Sequence, residues 1–185
     1  MLTSHIESFS WPTEIVCTII TEKIILPNNY SIRIGVEPNH SESTDVNLGL
    51  KKVKYFINNY LNNGLFINQS NPLTELTVNL DTNIILLPCE PYDYFIAAIL
   101  YNKLSAIAEK YFDIGYLSLD SLIGDRVEYT IMELNSSNLE LDGDLWWNQD
   151  SIDTGSGDTT SWEDLNFRDR PKFTPKIIQG GLSEN

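Results

Sequence analysis

A chain of 185 residues that is 42% hydrophobic and 11% aromatic carries enough apolar matter for a packed core, which excludes a wholly disordered protein. Its 26 acidic against 12 basic residues give a formal charge of −14, which argues against direct binding to nucleic-acid phosphates and to anionic membrane surfaces. The same charge suits a basic protein partner, a cation, or solubility alone.

The first 13 residues are polar and end in Trp11-Pro12, so 1–13 read as a flexible N-terminus. They have neither the basic n-region nor the apolar h-region of a signal peptide. No apolar run approaches the roughly 20 residues of a membrane helix. The expectation is a cytoplasmic protein with no membrane contact. From Glu14 to Thr21, Ile15, Cys17 and Ile19 alternate with Val16 and Ile20, which predicts a strand covered on part of both faces. Pro27-Asn28-Asn29 reads as a turn. Tyr30, Ile32, Ile34 and Val36 then alternate with polar residues and complete a hairpin.

Ser43 or Thr44 is placed to cap a helix, with Asp45 in its first turn. Val46, Leu50, Val53, Ile57, Tyr60 and Leu61 form its buried stripe, and Lys51, Lys52 and Lys54 fall largely opposite. Asn62-Asn63-Gly64 stops it, with Gly64 suited to the left-handed position. Leu65 to Ile67 is a short strand, and the alternation of Leu76, Val78 and Leu80 predicts another at an edge. Ile84 to Leu87 is apolar at every position, the mark of a central strand buried on both faces. Pro91 opens a long helix, Tyr92 to Phe112, with Ile96, Leu100, Leu104, Ile107 and Tyr111 on one face. Strands follow over Ile114 to Leu119 and Arg126 to Leu134.

The order β-β-α-β-β-β-α-β-β predicts an α+β fold over 14–134: a mixed or mostly antiparallel sheet with two amphipathic helices packed on one side. A parallel crossover is possible around each helix.

Composition changes after Leu134. Residues 135–185 read as an acidic, largely irregular extension in which Trp146, Trp147 and Trp162 stand among Asp, Asn, Ser and Gly. Tryptophans in a solvated tail are costly to leave exposed, so they fold back on the domain or dock on a partner. In the first case the tail wraps its own sheet and covers an edge strand. In the second, Trp146, Trp147, Trp162, Glu163, Asp164, Leu165 and Phe167 bind another protein with a basic or grooved surface.

Chemistry is thin by comparison. Cys17 and Cys89 lie in apolar stretches and read as buried thiols. His5 and His40 sit in polar segments, and no nucleophile elbow, His-Glu-x-x-His or phosphate loop occurs. Glu90 and Asp93 complement the dipole of the long helix. Asp142 and Asp144 lack the further ligands of a calcium loop. Asp120 and Asp125 flank one turn and are the best carboxylate pair for a metal, against the simpler reading of turn chemistry. No catalytic residue, metal site or cofactor is expected. The functional expectation is a non-enzymatic interaction module, an adaptor or inhibitor of the kind viral or phage genomes encode. The alternatives are an assembly subunit of a homo-oligomer and a metal-assisted enzyme using Asp120 and Asp125.

Overall fold

The computed structural model describes residues 8–38, 45–77, 80–124, 126–130, 145–157 and 160–165. Six strands form one mixed sheet. They are β1 (Phe9–Ile20), β2 (Ile25–Pro38), β3 (Gly64–Asn68), β4 (Ile84–Leu87), β5 (Phe112–Ser121) and β6 (Arg126–Thr130), in the order β4-β3-β1-β2-β5-β6. β1 is antiparallel to β2 and parallel to β3, β3 is parallel to β4, and β2, β5 and β6 run antiparallel in turn. Helices α1 (Val46–Phe56) and α3 (Asp93–Ala108) pack on one face, as an α+β fold requires.

Alternation sends Ile15, Cys17, Ile19, Tyr30, Ile32, Ile34, Val36, Phe66, Ile85, Leu87, Leu117 and Leu119 into the main core beneath the helices. Ile20, Ile67 and Ile84 point to the other face and form a small second core with Leu65, Leu73 and Leu86. β4 is an edge strand and not the central strand expected; that end of the sheet is nonetheless covered on both faces, which is why Ile84 to Leu87 is apolar throughout.

Several local expectations are corrected. β1 starts at Phe9, inside the stretch read as flexible, because Phe9 to Thr13 pair with Val36 to Ile32 of β2. Pro12 is tolerated there because β3 pairs only with Cys17 to Ile20, leaving β1 without a second neighbour at Pro12. The hairpin turns at Thr21–Ile24 and not at Pro27-Asn28-Asn29, which lie within β2 opposite Thr18 to Val16. Thr21 dictates this: its hydroxyl accepts the N–H groups of Lys23 and Ile24 at 3.2 and 3.1 Å.

Asp45 itself caps α1, accepting the Leu48 N–H at 3.1 Å. The helix ends in a π-helical turn, Ile57–Leu61, and Asn63 takes the positive φ of 61° that Gly64 was expected to take. Gly64 is needed for space, since a Cβ there would collide with Ile85. The expected edge strand around Leu76 is a single helical turn, α2 (Thr74–Thr77); Val78 lies outside the described residues. Only one of the two possible crossovers joins parallel strands. α3 links β4 to β5, whereas α1 links the antiparallel pair β2 and β3.

Candidate functional site

Three places outside the plain core carry polar chemistry or exposed apolar surface. The first is the end of the sheet where β1, β3, β4 and β5 finish and α3 begins. The Tyr30 hydroxyl donates to Asp93 Oδ1 at 2.6 Å, tying β2 to the first turn of α3. Asn28 donates to the Ser121 hydroxyl at 2.9 Å, and the Leu122 N–H donates to the Asn29 carbonyl at 3.0 Å. Glu90 accepts the Glu22 N–H and the Asn68 side-chain amide, both at 3.3 Å, joining the hairpin turn to β3 and the α3 entry. Burial, then the hydrogen bond from its own hydroxyl to Asp93, pushes the Tyr30 phenol up. Burial, then the Asp93 charge, pushes the Cys17 thiol up to about 12, so it is an inert core thiol. Burial, then Glu90, also raises the half-buried Cys89.

Around this polar knot lies a rim of exposed apolar side chains: Ile24, Ile25 and Leu26 on the hairpin, Leu122 and Ile123 on the β5–β6 turn, and Tyr92 before α3. Ile25, Tyr92 and Leu122 are 60, 61 and 76% exposed, so nothing described covers them. Glu22, Glu90 and Asp93 stand among them, with Lys23 at the hairpin tip.

The second place is the open face of the sheet. A shallow dimple there is lined by Ser31 and Arg33 of β2, Ser118 and Asp120 of β5, and Arg126 of β6. Asp120 thus sits beside two guanidiniums. Its expected partner Asp125 lies outside the described residues, and among the described residues no group of three His, Cys, Asp or Glu side chains could hold a metal ion. His5, His40, Asp142 and Asp144 also lie outside them.

The third place is the C-terminal segment. Trp146 and Trp147 open a short 3-10 turn, Trp146–Asn148, and are buried in the main core at 7 and 3% exposure. Both tryptophans, expected as anchors for a partner, pack into the chain's own core. Trp146 Nε1 donates to the Leu86 carbonyl at 2.9 Å, the Leu86 N–H donates to the Thr154 carbonyl at 3.0 Å, and the Thr154 hydroxyl donates to the Ile84 carbonyl at 2.7 Å. These bonds satisfy the outer edge of β4, as the wrapped-tail alternative required.

Lys103 of α3 locks this segment from below. It is 0% exposed, and its ammonium donates to the Trp146 carbonyl at 2.7 Å, the Gln149 carbonyl at 3.0 Å and the Ser151 hydroxyl at 3.1 Å. It also sits over the rings of Phe56 and Trp146, 5.4 and 5.5 Å from their centres. Burial brings the ammonium down to about 7, against the upward pull of Asp153 and Asp150. Asp150 is paired with Lys52 at 3.6 Å and Lys110 at 3.3 Å. Lys52, expected on the solvent side of α1, is buried between Asp150 and the rings of Tyr111 and Trp162. Trp162 and Leu165 are half-buried against the core, Glu163 and Asp164 are exposed, and Phe167 lies outside the described residues.

The sequence reading missed Lys103, Tyr30 with Asp93, and the apolar rim. The first had a signal: a single charged residue inside Ala97 to Ala108, a largely apolar stretch. The rim had one too, in Ile24-Ile25-Leu26 and Leu122-Ile123 placed at turns, where apolar residues have no core to fill.

No protein-family model matches the chain, and no curated protein matches its sequence. Among solved structures, the chain resembles the crystal structure of an uncharacterized protein from Wolinella succinogenes at 10% identity and a TM-score of 0.50. The likeness covers 67% of this chain and 97% of that one, and it is a likeness of fold.

Proposed function

We propose that the chain is a protein–protein interaction module, an adaptor or inhibitor, that binds through the apolar rim at the strand ends. The observation that carries this reading is the exposure of six large apolar side chains around one polar knot. Exposed apolar side chains gathered at one end of a domain mark an interaction surface. With Glu22, Glu90 and Asp93 among them, the fitting partner surface is apolar and flanked by lysine or arginine. The exposed Glu163 and Asp164 offer such a partner a further acidic contact. A cytoplasmic location belongs to the same proposal, supported by the free thiols Cys17 and Cys89.

A photo-crosslinking residue at Leu122 tests it, with the same residue at Glu128 on the open sheet face as control. The expected result is one defined adduct from Leu122, absent from Glu128 and lost when Ile25→Asp is added. Equal labelling from both positions, with circular dichroism confirming the fold, would overturn the reading. A second reading, a subunit of an assembly of identical chains, is favoured by the way residues 145–157 seat at the far edge of the sheet from β6.

A further inference from the structure

We propose that residues 145–157 are an exchangeable strap, and that the groove between α3, α1 and β4 which they fill on one chain also accepts the same segment of a second copy. This deepens the assembly reading above and rests on it. The groove is a built recognition site. One wall is the edge of β4, which offers the Leu86 N–H and the Ile84 and Leu86 carbonyls. Its floor is Lys103, whose three bonds all go to the strap. Its rim is Lys52 of α1 and Lys110 in the turn after α3, which hold Asp150 between them. Trp146, Trp147 and Ile152 fill the apolar part between them.

The strap has little regular structure of its own beyond the turn at Trp146–Asn148. Gly155 and Gly157 take positive φ values of 88 and 82°, with the Asp153 carboxylate accepting both of their N–H groups. The strap's order therefore comes from the groove and a local turn, and both are intact whichever chain supplies the groove.

Topology makes the exchange reachable. β6 and β4 are the two opposite edges of the sheet. A strap that leaves β6 and seats on β4 of its own chain crosses five strand spacings, about 24 Å. Residues 131–144 make that connection, and a chain of that length spans up to ~50 Å when extended. The same connection reaches the groove of a neighbour placed against the β6 edge. A closed pair makes every strap contact that two single chains make, so concentration and the span of the connection decide between them.

The experiment uses full-length chains in a Cys89→Ser background. One carries Lys110→Cys, a second Asp150→Cys, and a third carries both changes. These positions face each other across the strap boundary and are open enough to spare the core: the side chains are 72 and 20% exposed. The two single variants are co-refolded at high concentration and treated with a short thiol–thiol crosslinker. The double variant should close within one chain, and the mixed single variants should give a covalent heterodimer. Crosslinking in the double variant without any heterodimer in the mixture overturns the exchange. A double variant that also fails to crosslink overturns the seating on which it depends. Sedimentation of the untreated wild-type chain separates the two levels. Self-association without heterodimer leaves the assembly reading standing and the exchange wrong, and a monomer at every concentration removes both.

Discussion

The three oxygens around the Lys103 ammonium, on Trp146, Gln149 and Ser151, match its three protons. Replacing it with methionine keeps the volume and removes three bonds from a charged donor, each worth about 1.5–3 kcal/mol, while the Trp146 and Gln149 carbonyls keep the N–H groups of Gln149 and Ser151 at 3.4 and 2.8 Å. Part of that cost is offset because the buried ammonium is itself penalised. We expect Lys103→Met to destabilise the chain by about 2 kcal/mol in urea unfolding. The pH dependence has a definite sign. Lys103 has a folded value of about 7 against 10.5 in the unfolded chain, so the unfolded state holds more protons between those values. Stability therefore rises as pH goes from 7 to 9, with a slope of up to ~1.4 kcal/mol per unit, and Lys103→Met should flatten that rise. Cys17 acts oppositely, since its thiol is raised from 9.0 to about 12; the stability it contributes is lost as pH climbs through that range. Urea midpoints at half-unit steps from pH 6.5 to pH 9 check the Lys103 statement, and a wild-type profile that falls across this window would refute it; the Cys17 loss is read by carrying the steps on above pH 9. Gly35 supplies a separate residue-level test. Its cross-strand partner Tyr116 lies flat over it, with the Tyr116 hydroxyl donating to Ser10 at 3.0 Å, and a Cβ at Gly35 would collide with the ring. Gly35→Ala should cost about 1–3 kcal/mol, and most of that cost should vanish in a Tyr116→Ser background.

At the scale of elements, β4 shows why a four-residue strand can sit at the edge of a sheet without inviting another chain. Thr154 closes its outer side with one carbonyl and one hydroxyl. Thr154→Val keeps the shape and deletes the hydroxyl bond to Ile84 and the longer 3.4 Å contact with the Ser156 hydroxyl, so the expected loss is about 1–2 kcal/mol. Hydrogen exchange at the Leu86 amide should speed up by more than exchange in β1 and β2, because the change acts on one edge. Uniform acceleration across the sheet would mean that the strap and the sheet open together. The same element marks the limit of what the chain's pattern discloses. Apolar alternation names β1, β2 and β5, and the unbroken run of Ile84 to Leu87 names a strand covered twice, because burial of one or both faces is written in periodicity. Periodicity does not say what does the covering. Ten of the sixteen residues of α3 are buried, since the sheet lies on one side and the strap on the other; a single stripe on the helix understates this. The tryptophans of the acidic extension could be recognised as needing cover, yet whether that cover is the chain itself depends on Lys103 and the β4 edge, which lie far from them in sequence. Turn positions were misread for a related reason. The Thr21 hydroxyl fixes the hairpin through two short bonds, and this is a weaker sequence signal than Pro-Asn-Asn.

The whole molecule carries a formal charge of −14, and the two ion pairs that clamp the C-terminal strap share one carboxylate, Asp150. Folding brings like charges closer than they stand in the unfolded chain, and a sequence with 26 acidic against 12 basic residues has too few cations to pair them all. The pairs of Asp150 with Lys52 and Lys110 pull the other way, but the Asp150 side chain is only 20% exposed and such pairs are screened less than open ones. Screening therefore removes more repulsion than attraction. Raising sodium chloride from about 10 mM to about 150 mM shortens the Debye length from roughly 30 to 8 Å. That range covers the separations between surface carboxylates on one domain but not the contact distance of an ion pair. We expect the thermal midpoint to rise by about 3–6 °C at pH 7.5, corresponding to about 1–2 kcal/mol. Sodium fluoride at the same ionic strength should give the same gain if screening is the cause. A midpoint that falls with salt would mean that the lysines clamped on the strap carry more of the stability than the acidic surface takes away. Lys52→Met, tested in the same titration, would then abolish the salt response.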